Sequence, residues 1–241
     1  MTELSRRTAL ITGASRGLGL ALARELADRG WRLIIDARGA EALEVARQEL
    51  VRRTDVVAIA GDVADAAHRR RLATAARDAG RIDALVNNAS ALGPSPQPAL
   101  LDYPLDVLEH VYRVNVLAPL ALIQAVHAED ALRTGGAIVN ITSDAAVEPY
   151  EGWGGYGSSK AALEQMSAVL GAEVSAARVY WVDPGDMNTQ MHQEAFPGED
   201  ISDRPPPEES VPGLIRLIEG NLPGGRYRAR EIAAAVAQAA G

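Results

Sequence analysis

The stretch that decides the fold is RTALITGASRGLGLALARELADRG, residues 7–30. It begins with a short apolar run and ends with leucines at helical spacing, and between them lie Gly13, Gly17 and Gly19. Glycine lets a backbone turn tightly and approach a ligand without a Cβ in the way. The stretch therefore predicts a buried strand, a tight turn, and a helix whose N–H groups and dipole face an anion such as a pyrophosphate. A glycine-rich helix start without a ligand is the alternative at this point.

The same alternation of strand and helix continues along the whole chain. Apolar runs in WRLIID, DVVAIAGDV, IDALVNNAS, GAIVNITS and ARVYWVDPG predict five more strands, and GGRYRA predicts a short seventh before a terminal helix. Between strands four and five, a single long helix is predicted, kinked or tightly packed around Pro119. Because the strand runs are continuously apolar, we expect a parallel sheet covered by helices on both faces. The fold class is therefore a Rossmann-type, doubly wound α/β sheet of about seven strands, in one domain over residues 1–241.

Composition and charge narrow the classes of function. The chain has no cysteine, which excludes disulfides, thiolate metal sites and cysteine nucleophiles, and no metal is predicted. Its net charge is −8 and its longest basic run is three arginines, so a nucleic-acid partner is not expected. We see neither a signal-length apolar stretch at the N-terminus nor a continuous apolar window of about 18 residues, so we expect no membrane span and a cytoplasmic location.

Polar residues follow the third and fourth predicted strands. Asp62 comes after strand three, where a carboxylate could accept from an adenine amino group or, alternatively, cap the next helix. Asn87 and Asn88 come at the end of strand four, where their amides could brace the glycine turn. The carboxyl ends of neighbouring parallel strands are where doubly wound folds bind ligands.

These motifs, taken in order, resemble the classical short-chain dehydrogenases/reductases over roughly residues 8–189. The matching residues are Thr12-Gly13-x3-Gly17-x-Gly19, Asp62, Asn87-Asn88-Ala89, Asn115, Ser143, Tyr156-x3-Lys160 and Pro184-Gly185-x3-Thr189. Ser90 departs from the family, which usually has glycine there. The resemblance implies a nicotinamide cofactor held by Thr12, Gly13, Ser15, Arg16, Gly17, Leu18, Gly19, Arg38, Asp62, Val63, Asn88, Ala89, Tyr156, Lys160, Pro184, Gly185 and Thr189.

The predicted reacting centre joins Tyr156 and Lys160, which share one helix face at positions i and i+4. Lys160 is the only lysine among 24 basic residues. A free phenol has a pKa of about 10, and a nearby ammonium or an oxidised nicotinamide ring favours the phenolate. Ser143 could donate to the substrate oxygen as charge builds there. The resemblance implies the same roles, with Tyr156 as the general acid/base and Asn115 on a water-linked proton path to Lys160. Taken singly, each residue also fits a core or capping role.

The segment IIDARG predicts which nicotinamide cofactor is bound. An acid at the end of the second strand would bind the ribose 2′-OH of NAD, whereas an arginine favours the 2′-phosphate of NADP. By the resemblance, the discriminating acid falls at Ala37, the arginine of NADP-dependent members at Arg38, and a second basic residue at Arg16. Asp36 lies one residue early and should point elsewhere, because side chains alternate along a strand. NADP(H) is therefore the preferred cofactor, with NAD(H) as the second candidate.

The sequence says less about the substrate and the oligomeric state. The predicted substrate pocket contains Asp144, Val147, Trp153, Met187 and Met191, and residues 187–212 are predicted to form a lid. The expected function is reduction of a carbonyl on a small or medium-sized metabolite, with neither its identity nor the direction specified. A non-catalytic NADP(H) sensor is the alternative, although such proteins tend to lose the tyrosine or the lysine. A nucleotide-sugar epimerase is a second alternative, although those enzymes usually have longer chains. The resemblance also implies a homodimer or homotetramer.

Overall fold

The computed structural model of the protein describes residues 6–240, with side chains through residue 235. Seven parallel strands form one sheet in this part of the chain. They are β1 (Thr8–Ile11), β2 (Arg32–Ala37), β3 (Val56–Ala60), β4 (Ile82–Asn87), β5 (Leu132–Ile141), β6 (Ala177–Asp183) and β7 (Gly225–Arg228). Their spatial order is β3-β2-β1-β4-β5-β6-β7, so the chain reverses its direction of travel between β1 and β4. Ligands bind in doubly wound sheets at such a reversal.

Helices cover both faces of the sheet. Those flanking the strands are α1 (Gly17–Asp28), α2 (Ala40–Leu50), α3 (Ala66–Asp78), α4 (Leu105–Tyr112), α5 (Ala118–Ala128), α6 (Gly154–Glu173), α7 (Gln190–Ala195), α8 (Val211–Glu219) and α9 (Ala229–Ala240). Ile11 and Ile35 pack on one face with α1 and α8, whereas Leu10 and Ile34 pack on the other with α3 and α5. Since both faces of the central strands are buried, most of their positions are apolar, and Asp36 on β2 and Asn87 on β4 are buried polar exceptions. The predicted doubly wound α/β architecture is confirmed.

The long helix predicted after β4 is interrupted in the structure. It consists of α4, a π-helical turn over Arg113–Leu117, and α5, which carries Pro119 in its first turn. A proline lacks the N–H of a regular helix, and its ring clashes with the carbonyl four residues earlier, which here belongs to Asn115. The wider π turn avoids this clash, so the distortion centres on Asn115 rather than on Pro119.

Residues Leu105–Ala128 also bear on the expectation that no helix is apolar enough to span a membrane. Within the described residues this is the one stretch that is long and apolar enough, with 24 residues and a mean hydropathy of 1.2. Half of its most apolar window is buried inside the protein, as in the core helix of a globular fold. Length and composition alone therefore do not distinguish a membrane-spanning helix from a buried core helix in this segment.

The C-terminal third contains the two elements predicted last in the chain and helical structure within the predicted lid. The segment GGRYRA forms β7, and α9 follows it, as predicted. The predicted lid, residues 187–212, includes α7 and a 3-10 turn at Pro207–Ser210. Its function as a lid stays a prediction.

Candidate active site

The glycine turn between β1 and α1 is too tightly packed for a side chain at Gly13 or Gly19. Gly13 and Gly17 have φ angles of +66° and +56°, in the left-handed region that favours glycine. A Cβ on Gly13 would lie 2.9 Å from the backbone of Ala89, and one on Gly19 would lie 2.5 Å from the Gly13 carbonyl. No side chain caps α1 and no acidic residue lies in its first turn. The first N–H groups of α1 are therefore available to an anion, whereas those of Gly13 and Ala14 donate to Asp36.

The end of β4 holds this turn from the other side of the crevice. Asn88 Nδ2 donates to the carbonyls of Thr12 and Gly13, at 2.9 and 3.1 Å. In return, Thr12 Oγ1 accepts from the backbone N–H groups of Asn88 and Ala89, both at 3.0 Å. Asn88 thus braces the turn as predicted, whereas Asn87 turns away and donates to Asn140 Oδ1 at 2.8 Å.

Asp36 points into the protein, away from the surface where a ribose would bind. Its side chain is 1% exposed, and Oδ1 accepts from the Gly13 N–H at 2.9 Å. Burial raises the pKa of Asp36, and hydrogen bonds from His68 and Gly13 act against this shift. Arg38 and Arg16 are exposed. Arg16 also donates to the side chain of Gln190.

Asp62 does not cap the helix that follows it. Its Oδ1 accepts from the Ala64 N–H at 2.8 Å in a local turn, while Asp65 is the N-cap of α3 and accepts from the Ala67 N–H at 2.8 Å. The capping alternative for Asp62 is therefore wrong by three residues. Among the described residues, none donates a hydrogen bond to its other carboxylate oxygen, and Asp62 stays a candidate for the adenine contact.

Tyr156 and Lys160 are both buried on the same face of α6. Lys160 Nζ donates to the Ile141 carbonyl at 2.8 Å and lies 5.4 Å from the centre of the Tyr156 ring. Burial lowers the pKa of Lys160 to about 7. Burial also raises the pKa of Tyr156, a hydrogen bond with Ser90 lowers it, and the charges of Asp144 and Asp183 raise it further. The predicted lowering of the Tyr156 pKa is thus not found in the protein alone, because desolvation of the phenolate exceeds the opposing effects.

Ser143 lies at the end of β5, where its side chain makes local bonds. Its Oγ donates to Asp144 Oδ1 at 2.9 Å and accepts from the Ala145 N–H at 3.2 Å. Tyr150 holds the same carboxylate by donating to Asp144 Oδ2 at 3.0 Å. The capping role considered for Ser143 is therefore realised here. Its hydroxyl must turn away from Asp144 before it can donate to a substrate oxygen.

Two residues that sequence reasoning missed anchor the strand end that carries Ser143. Arg226, on β7, donates to both carboxylate oxygens of Glu164 at 3.0 Å and to the Ser143 carbonyl at 3.4 Å. Glu164 also accepts from Thr142 Oγ1 at 2.9 Å. No sequence signal joins Glu164 to Arg226, since 62 residues separate them.

Asn115 links the end of β4 to α6 through a side chain that is fully buried. Its Oδ1 accepts from the Ala91 N–H at 2.7 Å and from Ser90 Oγ at 3.1 Å. Its Nδ2 donates to the Ala91 carbonyl at 2.8 Å and to Ser159 Oγ at 3.0 Å. With both donors and both acceptor positions used, a water-linked path cannot run through this side chain unless one bond breaks.

The predicted substrate pocket is only partly brought together. Trp153 lies against Tyr156, with ring centres 5.8 Å apart, and Met191 packs against the same cluster. Phe196 lies 5.8 Å from Trp153. Met187 packs against the large core beneath α1 and α8, and its assignment to the pocket stays a prediction. Val147 is half exposed.

Some of the remaining predicted cofactor residues lie beside the glycine turn or in the loop after β6, and others are buried in the core. Thr189 lies beside the glycine turn, with its Cγ2 3.6 Å from the position of a Cβ on Gly17. Gly185 has a φ of +75°, and the Pro184 carbonyl accepts from Ser210 Oγ at 2.6 Å. Leu18 and Val63 are buried in the core, so only their backbone atoms could meet a ligand.

Comparison with known proteins agrees with this geometry. The short chain dehydrogenase family matches residues 7–200. The chain is 34% identical to a rhamnolipids biosynthesis 3-oxoacyl-[acyl-carrier-protein] reductase of Pseudomonas aeruginosa, over 99% of this chain and 91% of the relative. It is 33% identical to sepiapterin reductase of Mus musculus, over 77% of this chain and 76% of the relative.

A solved structure shares the whole architecture. A short chain dehydrogenase of Shigella flexneri, complexed with NADP, superposes with a TM-score of 0.85 at 28% identity, over 93% of this chain and 97% of that one. With the family match over more than half of the residues, and with the glycine turn, Tyr156 and Lys160 at one edge of the sheet, the chain belongs to the short-chain dehydrogenase/reductase family of oxidoreductases.

Proposed function

We propose that this protein is an NADP(H)-dependent carbonyl reductase of a small or medium-sized metabolite, which exchanges a hydride between the nicotinamide and a carbonyl or secondary alcohol. The observation that carries the proposal is the buried pair of Tyr156 and Lys160, with Nζ 5.4 Å from the ring centre. The pair lies on α6, which packs against the β5 end that bears Ser143. Two relatives are named as reductases.

The residues present fit a dinucleotide. The tightly packed glycine turn and the uncapped start of α1, which has no acidic residue in its first turn, suit its pyrophosphate. When bound, the nicotinamide supplies or accepts the hydride. The NADP preference rests on Asp36, whose carboxylate is buried against Gly13 and cannot reach a ribose, and on the exposed guanidiniums of Arg38 and Arg16.

The chain's own residues would position the substrate and move one proton. Tyr156 Oη would donate its proton to the carbonyl oxygen during reduction, or take it back during oxidation. Ser143 Oγ would leave Asp144 and donate to the same oxygen, where negative charge develops. Lys160, which the Ile141 carbonyl holds in place, would stabilise the phenolate in its charged form.

The surroundings of Tyr156 favour one class of substrate. Trp153, Met191 and Phe196 offer apolar and aromatic surface on one side. Asp144 and Asp183 bring negative charge to the same place, as their effect on the Tyr156 pKa shows. A carbonyl compound with some apolar surface and without a strong negative charge is therefore the proposed substrate class.

The assembly and the location are also part of the proposal. We expect a homodimer or homotetramer through the helix that carries Asn115 and through α6, on which Leu117 and Val169 are 57% and 45% exposed. The expected location is the cytoplasm, and we expect neither a membrane nor a nucleic acid as partner.

The test is NADPH oxidation against a panel of ketones, aldehydes and quinones, with Tyr156→Phe as the matched control. Turnover that the variant abolishes, while it retains NADPH binding, is the expected result. NADPH binding with no turnover on any member of the panel would favour the sensor alternative. Dissociation constants for NADPH and NADH decide the cofactor, and equal or tighter NADH binding would overturn the NADP preference.

A further inference from the structure

Asp36, His68 and Arg71 form a chain of polar contacts beneath the glycine turn that the reaction itself does not use. Asp36 Oδ2 lies 2.7 Å from His68 Nε2, and both side chains are at most 1% exposed. His68 Nδ1 lies 3.0 Å from Arg71 Nη2. Nothing in the sequence motifs draws attention to His68, which is 32 residues from Asp36 on a different element.

The contacts determine which ring nitrogen of His68 carries the hydrogen. A guanidinium has N–H donors and no acceptor, so Nδ1 must accept from Arg71. The hydrogen of the neutral ring is then on Nε2, which donates to Asp36. Arg71 also donates to the Ala60 carbonyl at 3.2 Å, so the guanidinium is itself tied to the end of β3. Arg71 thus donates to His68, and His68 donates to the Asp36 carboxylate.

The Asp36 carboxylate also fixes the conformation of the glycine turn. Its Oδ1 accepts from the Gly13 N–H at 2.9 Å, and the Asp36 backbone carbonyl accepts from the Ala14 N–H at 2.9 Å. The two bonds constrain successive residues of the turn. Because Gly13 has a left-handed φ, the turn depends on such bonds to keep its shape.

His68 also supports the neighbouring strand end. A Cβ on Gly61 would lie 2.3 Å from His68 Nδ1, so the backbone that leads to Asp62 packs directly on the imidazole ring. The ring therefore lies under the ends of β2 and β3 and, through Asp36, under the end of β1. These three strand ends form the side of the crevice that would receive the adenosine and pyrophosphate.

We propose that Asp36, His68 and Arg71 are positioning residues that set the shape of the glycine turn and thereby the affinity for NADP(H), without touching the cofactor. The proposal rests on the proposed function insofar as a dinucleotide binds at this turn. In this proposal Asp36 supports the glycine turn and does not contribute to the discrimination between NAD and NADP.

The test compares His68→Leu with His68→Gln. Leucine leaves Asp36 without the Nε2 donor, whereas the glutamine amide can donate from nearly the same place. We expect the Kd for NADPH, measured by fluorescence titration, to rise roughly ten-fold or more in His68→Leu, as for one lost hydrogen bond to a charged group. His68→Gln should stay within about three-fold of the wild type by the same reasoning, and kcat at saturating cofactor should change little in either variant.

A matched control separates positioning from general loss of stability. Thr54→Val removes another buried hydrogen bond, from Thr54 Oγ1 to the Trp31 carbonyl at 2.5 Å, at the opposite end of β2 and β3. This variant should lose stability and keep its NADPH affinity. Unchanged affinity in His68→Leu, or equal weakening in Thr54→Val, would overturn the proposal.

Two further readouts keep the test decisive. Amide hydrogen exchange of Gly13 in the cofactor-free protein should accelerate in His68→Leu and not in Thr54→Val. If His68→Leu does not fold, Arg71→Ala at an exposed position takes its place, with a few-fold weaker NADPH binding expected from the loss of one hydrogen bond. Unchanged binding in Arg71→Ala would then refute the proposal. A wild type that binds neither NADPH nor NADH would instead count against the proposed function.

Discussion

Replacement of Lys160 by methionine tests how the protein controls its acid/base tyrosine. Methionine has a similar length and no charge, so the variant removes the ammonium and its bond to the Ile141 carbonyl. With the 5.4 Å from Nζ to the Tyr156 ring centre as the charge separation, and an effective dielectric constant of about 20, the attraction between ammonium and phenolate is about 3 kcal/mol. That corresponds to about two pH units in the pKa of Tyr156.

The sign of the effect follows from which form the ammonium favours. A positive charge favours the phenolate, so its removal raises the pKa of Tyr156. In the direction of alcohol oxidation, the phenolate is the form that accepts the proton. At pH values below about 7, at which Lys160 is charged, the fraction of phenolate and with it kcat should therefore fall about 100-fold in Lys160→Met, and the difference should shrink as Lys160 loses its proton at higher pH. The assay is steady-state NADP reduction over a pH series at saturating substrate.

Lys160→Arg shows whether charge alone is sufficient. Arginine keeps the positive charge, but its planar guanidinium is bulkier than an ammonium in a site that is 2% exposed. We expect Lys160→Arg to fail nearly as badly as Lys160→Ala. A pH profile that does not move in Lys160→Met would refute the electrostatic reasoning, and a fully active Lys160→Arg would refute the requirement for a compact charge.

Three further predictions concern the same edge of the sheet. Ser90→Gly removes the hydroxyl that lowers the pKa of Tyr156 when its hydrogen turns from Asn115 Oδ1 to the phenolate, so the oxidation limb should rise by about half to one pH unit; an unmoved limb would contradict this. Arg38→Ser should raise the Kd for NADPH roughly ten- to 100-fold while that for NADH changes little, and an unaltered ratio of the two constants would argue against a 2′-phosphate contact. The pKa of Lys160 is about 7 in the folded protein and about 10.5 in the unfolded chain. Between these pH values the unfolded chain binds more protons, so the wild type should gain stability as pH rises through them. The Tm advantage of Lys160→Met should therefore be largest near pH 6 and shrink toward pH 10, at about 2–4 °C per kcal/mol; an advantage that does not depend on pH would contradict the buried charge.

Local patterns in the sequence were sufficient to predict most of the fold. Continuous apolar runs identified the buried parallel strands, and the glycines between β1 and α1 identified the turn, because both signals depend on neighbouring residues. The sequence predicted a kink or tight packing around Pro119, and the position of the interruption at Arg113–Leu117 was not predicted. The proline that causes it acts on a carbonyl four residues earlier, so the visible residue and the distorted turn do not coincide.

The sequence by itself determined which side chains share a helix face and which strand ends carry polar groups. The spacing of Tyr156 and Lys160 and the motif at Asn88 are of this kind, since helical periodicity and parallel pairing leave them one arrangement. Only the tertiary structure decided how those groups are charged and what holds them. Burial raises the pKa of Tyr156 and lowers that of Lys160, and His68 meets Asp36 from another helix. Desolvation and long-range contacts depend on everything packed around a group, and no short stretch of sequence contains that information.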